Sequence, residues 1–346
     1  MGICKWLYIN FYYVVRWQTH PTRDIMKKVA ISIGDLNGIG IQLALENHNT
    51  ISKNVIPIYC IDKAMLEQAA KKLQLNIPDD FQTIENIAPT FDIEAGVVNK
   101  ESGAYAYASF VKAVELARNK EVDAICTLPI HKKAWELAGV KYKGHTDALR
   151  DFFDAEAIMM LGCSKMYVAL FTEHIPLKEV AKSINEKDLT RFLIDFYHTA
   201  KPTKQVGVLG LNPHAGDNGV LGDEEIIIQK AIDNANSTLR QAQGTVDNQD
   251  RSTVSEPVEA YSNPLVPDIA FTPRVRANYT HYIAMYHDQG LAPLKALYFD
   301  EGINVSLNLP ILRTSVDHGT AFDVAYKNIK LNNLSYINAI KYIVNN

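Results

Sequence analysis

The sequence predicts an α/β protein with a largely parallel sheet. Two observations carry that expectation. From Lys28 onward, short continuously apolar runs alternate with longer stretches of helical periodicity. Nearly every apolar run also ends at a polar loop, and in such sheets the loops after the carboxyl ends of strands build the site. With 346 residues, 47% hydrophobic and 21% charged, the chain has an ordinary globular composition, and its length suggests about two domains.

In order, "KVAISIG" reads as a strand, followed by a glycine-rich turn and a helix through "IQLALENH". "VIPIYCI" is a second strand, and "AMLEQAAKKLQL" a helix with apolar residues three and four apart. "ESGAYAYASFVKAVELARNK" is a long amphipathic helix, and "VDAICTLPI" a strand ending at a polar loop. "KMYVALFTE" and "QVGVLGLN" are further strands that run into polar loops. Residues 1–25, aromatic and preceding a natural-looking start at "MKKVAISIGD", read as a disordered extension: the apolar stretch is too short to span a membrane and lacks a signal-peptide cleavage pattern. Residues 235–264, rich in Gln, Ser, Asn, Asp and Thr, read as a flexible surface insertion.

Lys and Arg number 35 against 39 Asp and Glu, a net charge of −4. That balance excludes nucleic acid or an anionic membrane as the main partner, so any anion must be caught by a local cluster. The scattered cysteines Cys4, Cys60, Cys126 and Cys163 show no paired spacing, as expected of free thiols in a reducing cytoplasm.

Six polar segments stand out. "GDLNGIG" (34–40) matches neither the dinucleotide fingerprint nor a P-loop; it is a tight turn or a phosphate approach, and Asp35 is its better functional candidate. In "KYKGHTDALRD" (141–151), Thr146 or Asp147 either caps a helix or joins His145 in binding an anion. "GLNPHAGDNGVLGDEE" (210–225) is a long glycine-bearing loop after a strand, costly to order unless it shapes a site. Its His214, His174 of "FTEHIPL" and His287 of "YHDQGLAPLK" all sit at strand-end loops, which favours metal ligation over three unrelated histidines, although no metal-finger spacing links them. In 303–325, Asn304, Arg313 and Thr314 offer donors suited to phosphate or carboxylate, and "DHGTAFD" then supplies His318 and Gly319 before a helix.

Together, "ISIGDLNGIG", "GHTD", "GLNPHAGDNGVLGDEE", "YHDQGLAPLK" and "LPILRTSVDHGTAFDVA" resemble the 4-hydroxythreonine-4-phosphate dehydrogenase family of pyridoxal phosphate biosynthesis, from about Met26 to the C-terminus. The resemblance implies an isocitrate/isopropylmalate dehydrogenase-like fold: two α/β domains about a central cleft. The first would comprise 26–145 with 300–346, on the cofactor side; the second, 146–299, would carry a homodimer interface. It implies that His174, His214 and His287 hold a divalent metal (zinc, magnesium or cobalt), one of them reaching across from the partner subunit. It implies that His145, Thr146, Lys295, Asn304 and Arg313 bind substrate, and that Lys295 and Asp268 serve catalysis. Asp317, His318, Gly319 and Asp323 would contact NAD or NADP. The implied reaction oxidises and decarboxylates 4-phosphohydroxy-L-threonine to 3-amino-2-oxopropyl phosphate in the cytoplasm. Asp288 and Gln289 are read as residues that support a ligand or shape the loop.

The sequence departs from the family's usual pattern at five places. Leu36 stands for a proline, Gln42 and Asp147 for glutamates, Asn308 for a glycine, and Tyr326 for an alanine-glycine pair. A paralogue acting on another phosphorylated hydroxy acid such as erythronate 4-phosphate, or on a dihydrodiol carboxylate, is the alternative enzyme. A binding protein that kept the cleft without its chemistry is the alternative from another class.

Overall fold

The structure, a computed structural model, describes residues 26–244 and 259–346. The expected extension, 1–25, and the middle of the expected insertion, 245–258, lie outside the described residues. Ten strands are present among them: β1 Lys28–Ser32, β2 Ile56–Cys60, β3 Gln82–Thr83, β4 Ala124–Thr127, β5 Ile158–Cys163, β6 Met166–Leu170, β7 Gly207–Val208, β8 His281–Ala284, β9 Ile303–Leu307 and β10 Leu312–Val316. They form one sheet in the order β3-β2-β1-β4-β10-β9-β5-β6-β8-β7. Strands from 26–145 and 300–346 therefore fill one half of the sheet, and strands from 146–299 the other.

The expectation of a largely parallel sheet holds for the flanks and fails at the centre. β3 to β10 are parallel along one flank, and β6, β8 and β7 along the other. Between them, β10–β9, β9–β5 and β5–β6 are antiparallel. Two hairpins cause this. β5 and β6 are separated only by Ser164 and Lys165, and β9 turns back into β10 through 308–311. Asn308 takes φ 57°, the left-handed region that glycine adopts freely and asparagine tolerates better than most side chains, so it can stand where the resemblance leads one to expect glycine. The reversal makes β6 and β8 run opposite to β4 and β10, so the loops at their carboxyl ends leave from opposite edges of the sheet.

The helices expected from periodicity occur at Gly40–Ile51, Lys63–Leu73 and Lys100–Arg118. The last is capped by Asn99, whose side chain accepts from Ser102 N. Gly34 joins β1 to the first helix at φ 72°, and a Cβ there would lie 2.2 Å from Pro129 O, so no other residue fits. Asp35, next in the chain, is fully buried: it accepts from Asn37 N at 3.0 Å and from Ser102 Oγ at 3.3 Å. It secures the turn from within and does not line the central cleft.

The expected insertion is shorter than its composition suggests. The helix Glu224–Gly244 runs straight into it, burying Ile228, Ala231, Ile232, Ala235 and Leu239 along one narrow stripe. Asn236 then brackets the Tyr261 backbone, accepting from its N at 3.0 Å and donating to its O at 3.2 Å. Tyr261 and Leu265 bridge to Val206 and Leu209 beside β7. A thin apolar stripe amid polar residues is what made this segment read as unstructured. No helix among the described residues is long and apolar enough to cross a membrane.

Burial raises the Asp35 carboxyl from 3.8 to about 6, ahead of the lowering effect of its two hydrogen bonds. Because the folded value lies above the unfolded one, the wild type keeps its full stability below about pH 4 and loses part of it as pH rises through about 6. Asp35→Asn should therefore gain stability relative to wild type across that window. Urea unfolding on either side of it checks the sign, and a difference that is flat with pH would contradict the burial argument.

Candidate active site

The antiparallel centre puts a polar row on one sheet face. Residues directly opposite one another across a strand pair point the same way. Leu161 faces Asn304, Met159 faces Ser306, Arg313 faces Ser306 and Ile125, and Ser315 faces Asn304 and Thr127. Met159, Leu161, Asn304, Arg313 and Ser315 are the floor of a cleft of about 950 Å³. Thr314, singled out with its neighbours as a donor, lies on the other face, fully buried with its hydroxyl unpartnered, because side chains alternate along a strand.

Arg313 dominates this floor. It is 2% exposed, and all its partners are neutral. Its Nη2 donates to Thr127 Oγ1 at 2.7 Å, and its Nη1 to Ser306 Oγ at 3.1 Å and Asn304 Oδ1 at 3.5 Å. Its Nε is buried with no partner. Burial lowers its pKa from 12.5 to about 10, which leaves it charged near neutrality. A buried cation with no carboxylate is expensive unless a ligand brings the anion.

Segments from both edges of the sheet form the walls. Ile130 and Lys132 follow β4, and Asp317–Gly319 follow β10; from the opposite edge come the loop Thr172–Ile175 after β6 and, after β8, the helix His287–Tyr298, which brings His287, Leu291 and Lys295. The expected strand-end loop at His287 is in fact the start of that helix. The helix His145–Phe153 enters with His145, Thr146 and Asp147 in its first turn and no side-chain cap at Gly144. Neither Thr146 nor Asp147 caps this helix; Asp147 instead accepts from Lys143 N at 3.0 Å. His145 is buried edge-on against Phe110 and Trp135, with Nε2 unpartnered. Burial, then the Arg313 charge, drives its pKa well below the usual histidine range, so it is neutral. Lys132, Lys143, Arg150, Lys295 and Arg313 line the cleft against Asp147, Glu173 and Asp317. Two of these acids are already matched to cations: Glu173 pairs through both oxygens with Arg150, and Asp317 accepts from Lys295 Nζ at 3.0 Å. The cleft is thus left with an excess of positive charge.

His174 and His287 meet at the rim with ring centroids 5.5 Å apart. His287 Nδ1 is 2.7 Å from Asp288 Oδ1; with the proton on Nδ1, Nε2 is free as a ligand, the arrangement that carboxylate partners give metal-bound histidines. Burial chiefly lowers the His174 pKa, which favours the neutral, ligating form. The pair fits two positions of a metal's coordination sphere. No group of three His, Cys, Asp or Glu side chains able to hold a metal exists among the described residues of the single chain. His214 is exposed on its loop and does not line the cleft; neither do Asp268 and Asp323, which are also exposed. Of the remaining residues implied by resemblance, His145, Thr146, Lys295, Asn304, Arg313, Asp317, His318 and Gly319 all do. Gly319 has open space where a Cβ would stand, and His318 Nε2 is buried without a partner, so this wall has room and polarity for a cofactor.

Sequence reasoning missed Arg150, Glu173, Lys132 and Lys143. Glu173, next to His174 in "FTEH", was the one with a signal, since a carboxylate beside a site histidine commonly orients something. Gln289 is buried and accepts from Met285 N at 2.7 Å while donating to Gly210 O at 2.6 Å. It ties the strand end and first turn of the helix that begins at His287 to the root of the loop bearing His214, a contact between strands that local spacing does not reveal.

A family model described as "Pyridoxal phosphate biosynthetic protein PdxA" matches residues 53–343. The chain is 57% identical over 314 residues to the 4-hydroxythreonine-4-phosphate dehydrogenase of Sulfurimonas denitrificans, covering 91% of this chain and 96% of that one. It is 48% identical over 320 residues to the Campylobacter fetus protein of the same name, covering 92% and 98%. A crystal structure of 4-hydroxythreonine-4-phosphate dehydrogenase from Klebsiella pneumoniae superposes with a TM-score of 0.73 at 29% identity, covering 93% of this chain and 98% of that one. On the extent of these matches, the chain belongs to the PdxA family of pyridoxal phosphate biosynthetic proteins.

Proposed function

We propose that this chain is an NAD-dependent dehydrogenase, NADP being the alternative coenzyme, that oxidises and decarboxylates 4-phosphohydroxy-L-threonine to 3-amino-2-oxopropyl phosphate and carbon dioxide in vitamin B6 biosynthesis. The observation that carries this reading is Arg313, buried and charged on the cleft floor without a carboxylate. Such a group suits a substrate that arrives with its own anions, here a phosphate and a carboxylate.

The neutral imidazole of His145, the Thr146 hydroxyl, the uncapped first turn of their helix and the Arg313 guanidinium line one continuous surface for anionic oxygens. Asn304 is held 3.5 Å from Arg313 and adds an amide at the same floor. Lys295, oriented by Asp317, stands on the opposite wall, placed to hold substrate or move a proton at its ammonium. A bound nicotinamide coenzyme would supply the acceptor for the hydride lost from the carbinol carbon, and the hydroxyl proton would pass to a base. Loss of carbon dioxide then leaves an enolate, and surrounding cations stabilise its charge before protonation. Asp317, His318 and Gly319 are the wall assigned to NAD or NADP, while Asp323 and Asp268 stay outside this scheme within a single chain.

His174 and His287 would hold a divalent cation, zinc, magnesium or cobalt, with His214 of a second copy as the third ligand in a homodimer whose site lies between subunits. Such a cation supplies Lewis acidity toward the substrate hydroxyl. The incomplete histidine set in one chain and the exposure of His214 support the shared site. A cytoplasmic location is supported by Cys60, Cys126 and Cys163, all buried as free thiols.

Following NADH absorbance with 4-phosphohydroxy-L-threonine and, separately, erythronate 4-phosphate tests the assignment; turnover of only the latter would replace the proposed substrate. His287→Ala should abolish chelator-sensitive turnover while circular dichroism stays that of the wild type, and undiminished turnover would remove His287 from the site. Arg313→Met should raise KM by roughly 10–100-fold, the worth of one or two hydrogen bonds to a charged group. The same variant should melt no lower than the wild type, because it removes a buried charge that has no counterion. An unchanged KM would deny Arg313 its role in binding.

A further inference from the structure

The loop Asn212–Gly222 that carries His214 has an unusual backbone. His214, Ala215, Asp217 and Asn218 take φ values of 55°, 50°, 44° and 54°, and Gly216 between them takes 78°. A left-handed backbone is unfavourable for residues other than glycine, so a run of them persists only where its surroundings dictate it.

The surroundings here are centred on one carboxylate. Glu225 is buried in the first turn of the helix Glu224–Gly244, and its Oε1 accepts from Leu211 N at 2.8 Å and Asn212 N at 2.7 Å. Its Oε2 accepts from Asn212 Nδ2 at 2.9 Å, and Glu224 Oε2 accepts from that same amide at 2.7 Å. A Cβ on Gly216 would lie 2.6 Å from Glu225 Oε2, so the loop is wrapped closely around the carboxylate. Gln289 fixes the root of the loop through Gly210 O, and the far end exposes Val220 (77%) and Leu221 (48%). Strain held in place by a buried acceptor, with a histidine and an apolar tip presented outward, describes an arm built for a surface outside its own chain.

We propose that Glu225 is a positioning residue: its carboxylate holds the loop Asn212–Gly222 in the one conformation that delivers His214 to the cleft of a second copy. Glu225 touches no substrate or metal and acts through His214. This rests on the reading of His214 as the third metal ligand, and the experiment separates the two.

Full-length wild type, His214→Ala, Glu225→Gln and Gly216→Ala are titrated with cobalt(II), reading affinity and the visible ligand-field spectrum, with circular dichroism as the control for folding. Glu225→Gln places an amide donor against backbone N–H donors, whereas Gly216→Ala keeps the carboxylate and pushes the loop off it. Both should lose cobalt affinity by about 10–100-fold, the usual penalty for removing the support of a metal ligand, with the spectrum of His214→Ala and a native circular dichroism signal. Should Glu225→Gln fail to fold, Gly216→Ala decides alone. Wild-type affinity in the folded loop variants, alongside a loss in His214→Ala, overturns the positioning role and leaves the ligand reading intact. Wild-type affinity in His214→Ala overturns that reading, and the inference with it.

Discussion

The site depends on one constraint: a guanidinium removed from water with only neutral partners. Desolvating a cation is among the largest unfavourable terms a fold can carry, and Thr127, Ser306 and Asn304 offset only part of it. That arrangement exists because the central pairings are antiparallel. In the register of β4, β10 and β9, Arg313 and its partners share one face, and a slip of one residue would send all of them to the other. The same reversal brings loops from opposite edges of the sheet over a common floor, which a wholly parallel sheet would not do.

Function is divided between that rigid floor and loops held by polar anchors. Asp317 orients Lys295, Asp288 meets His287, and Gln289 couples the strand end before His287 to the root of the His214 loop. Each anchor is one side chain making one or two hydrogen bonds, so the walls are tuned by side chains without change to the sheet. Tyr326 illustrates this in a departure from the family pattern. At φ 59° it occupies a strained backbone position, yet its hydroxyl donates to Leu36 O at 2.7 Å and ties the loop after β10 to the turn after β1.

Much of this was legible in the sequence. The strands β1, β2, β4 and β6 appeared as apolar runs because buried strands have no polar face to show. The motifs around His145, Lys295, Asn304 and Arg313 converge on the cleft, and their value came from agreement among five segments, since each alone had an ordinary explanation. Pairing direction was not legible: two short hairpins at the sheet's centre look like any other apolar runs. Nor was the choice between Arg313 and its neighbour Thr314, which only the pleat settles. Residues 235–242 misled because their stripe of Ala235 and Leu239 is thin among polar side chains. Glu225 has no signature in the sequence, since its meaning lies in backbone donors that composition does not display.

The most direct test of the central claim is calorimetric titration of the wild type with 4-phosphohydroxy-L-threonine and with its dephosphorylated form, without coenzyme. If the unpaired cation on the floor recognises an anionic substrate, the phosphorylated compound should bind at least about tenfold more tightly, the equivalent of one hydrogen bond to a charged group. Equal affinity for the two compounds would contradict the account.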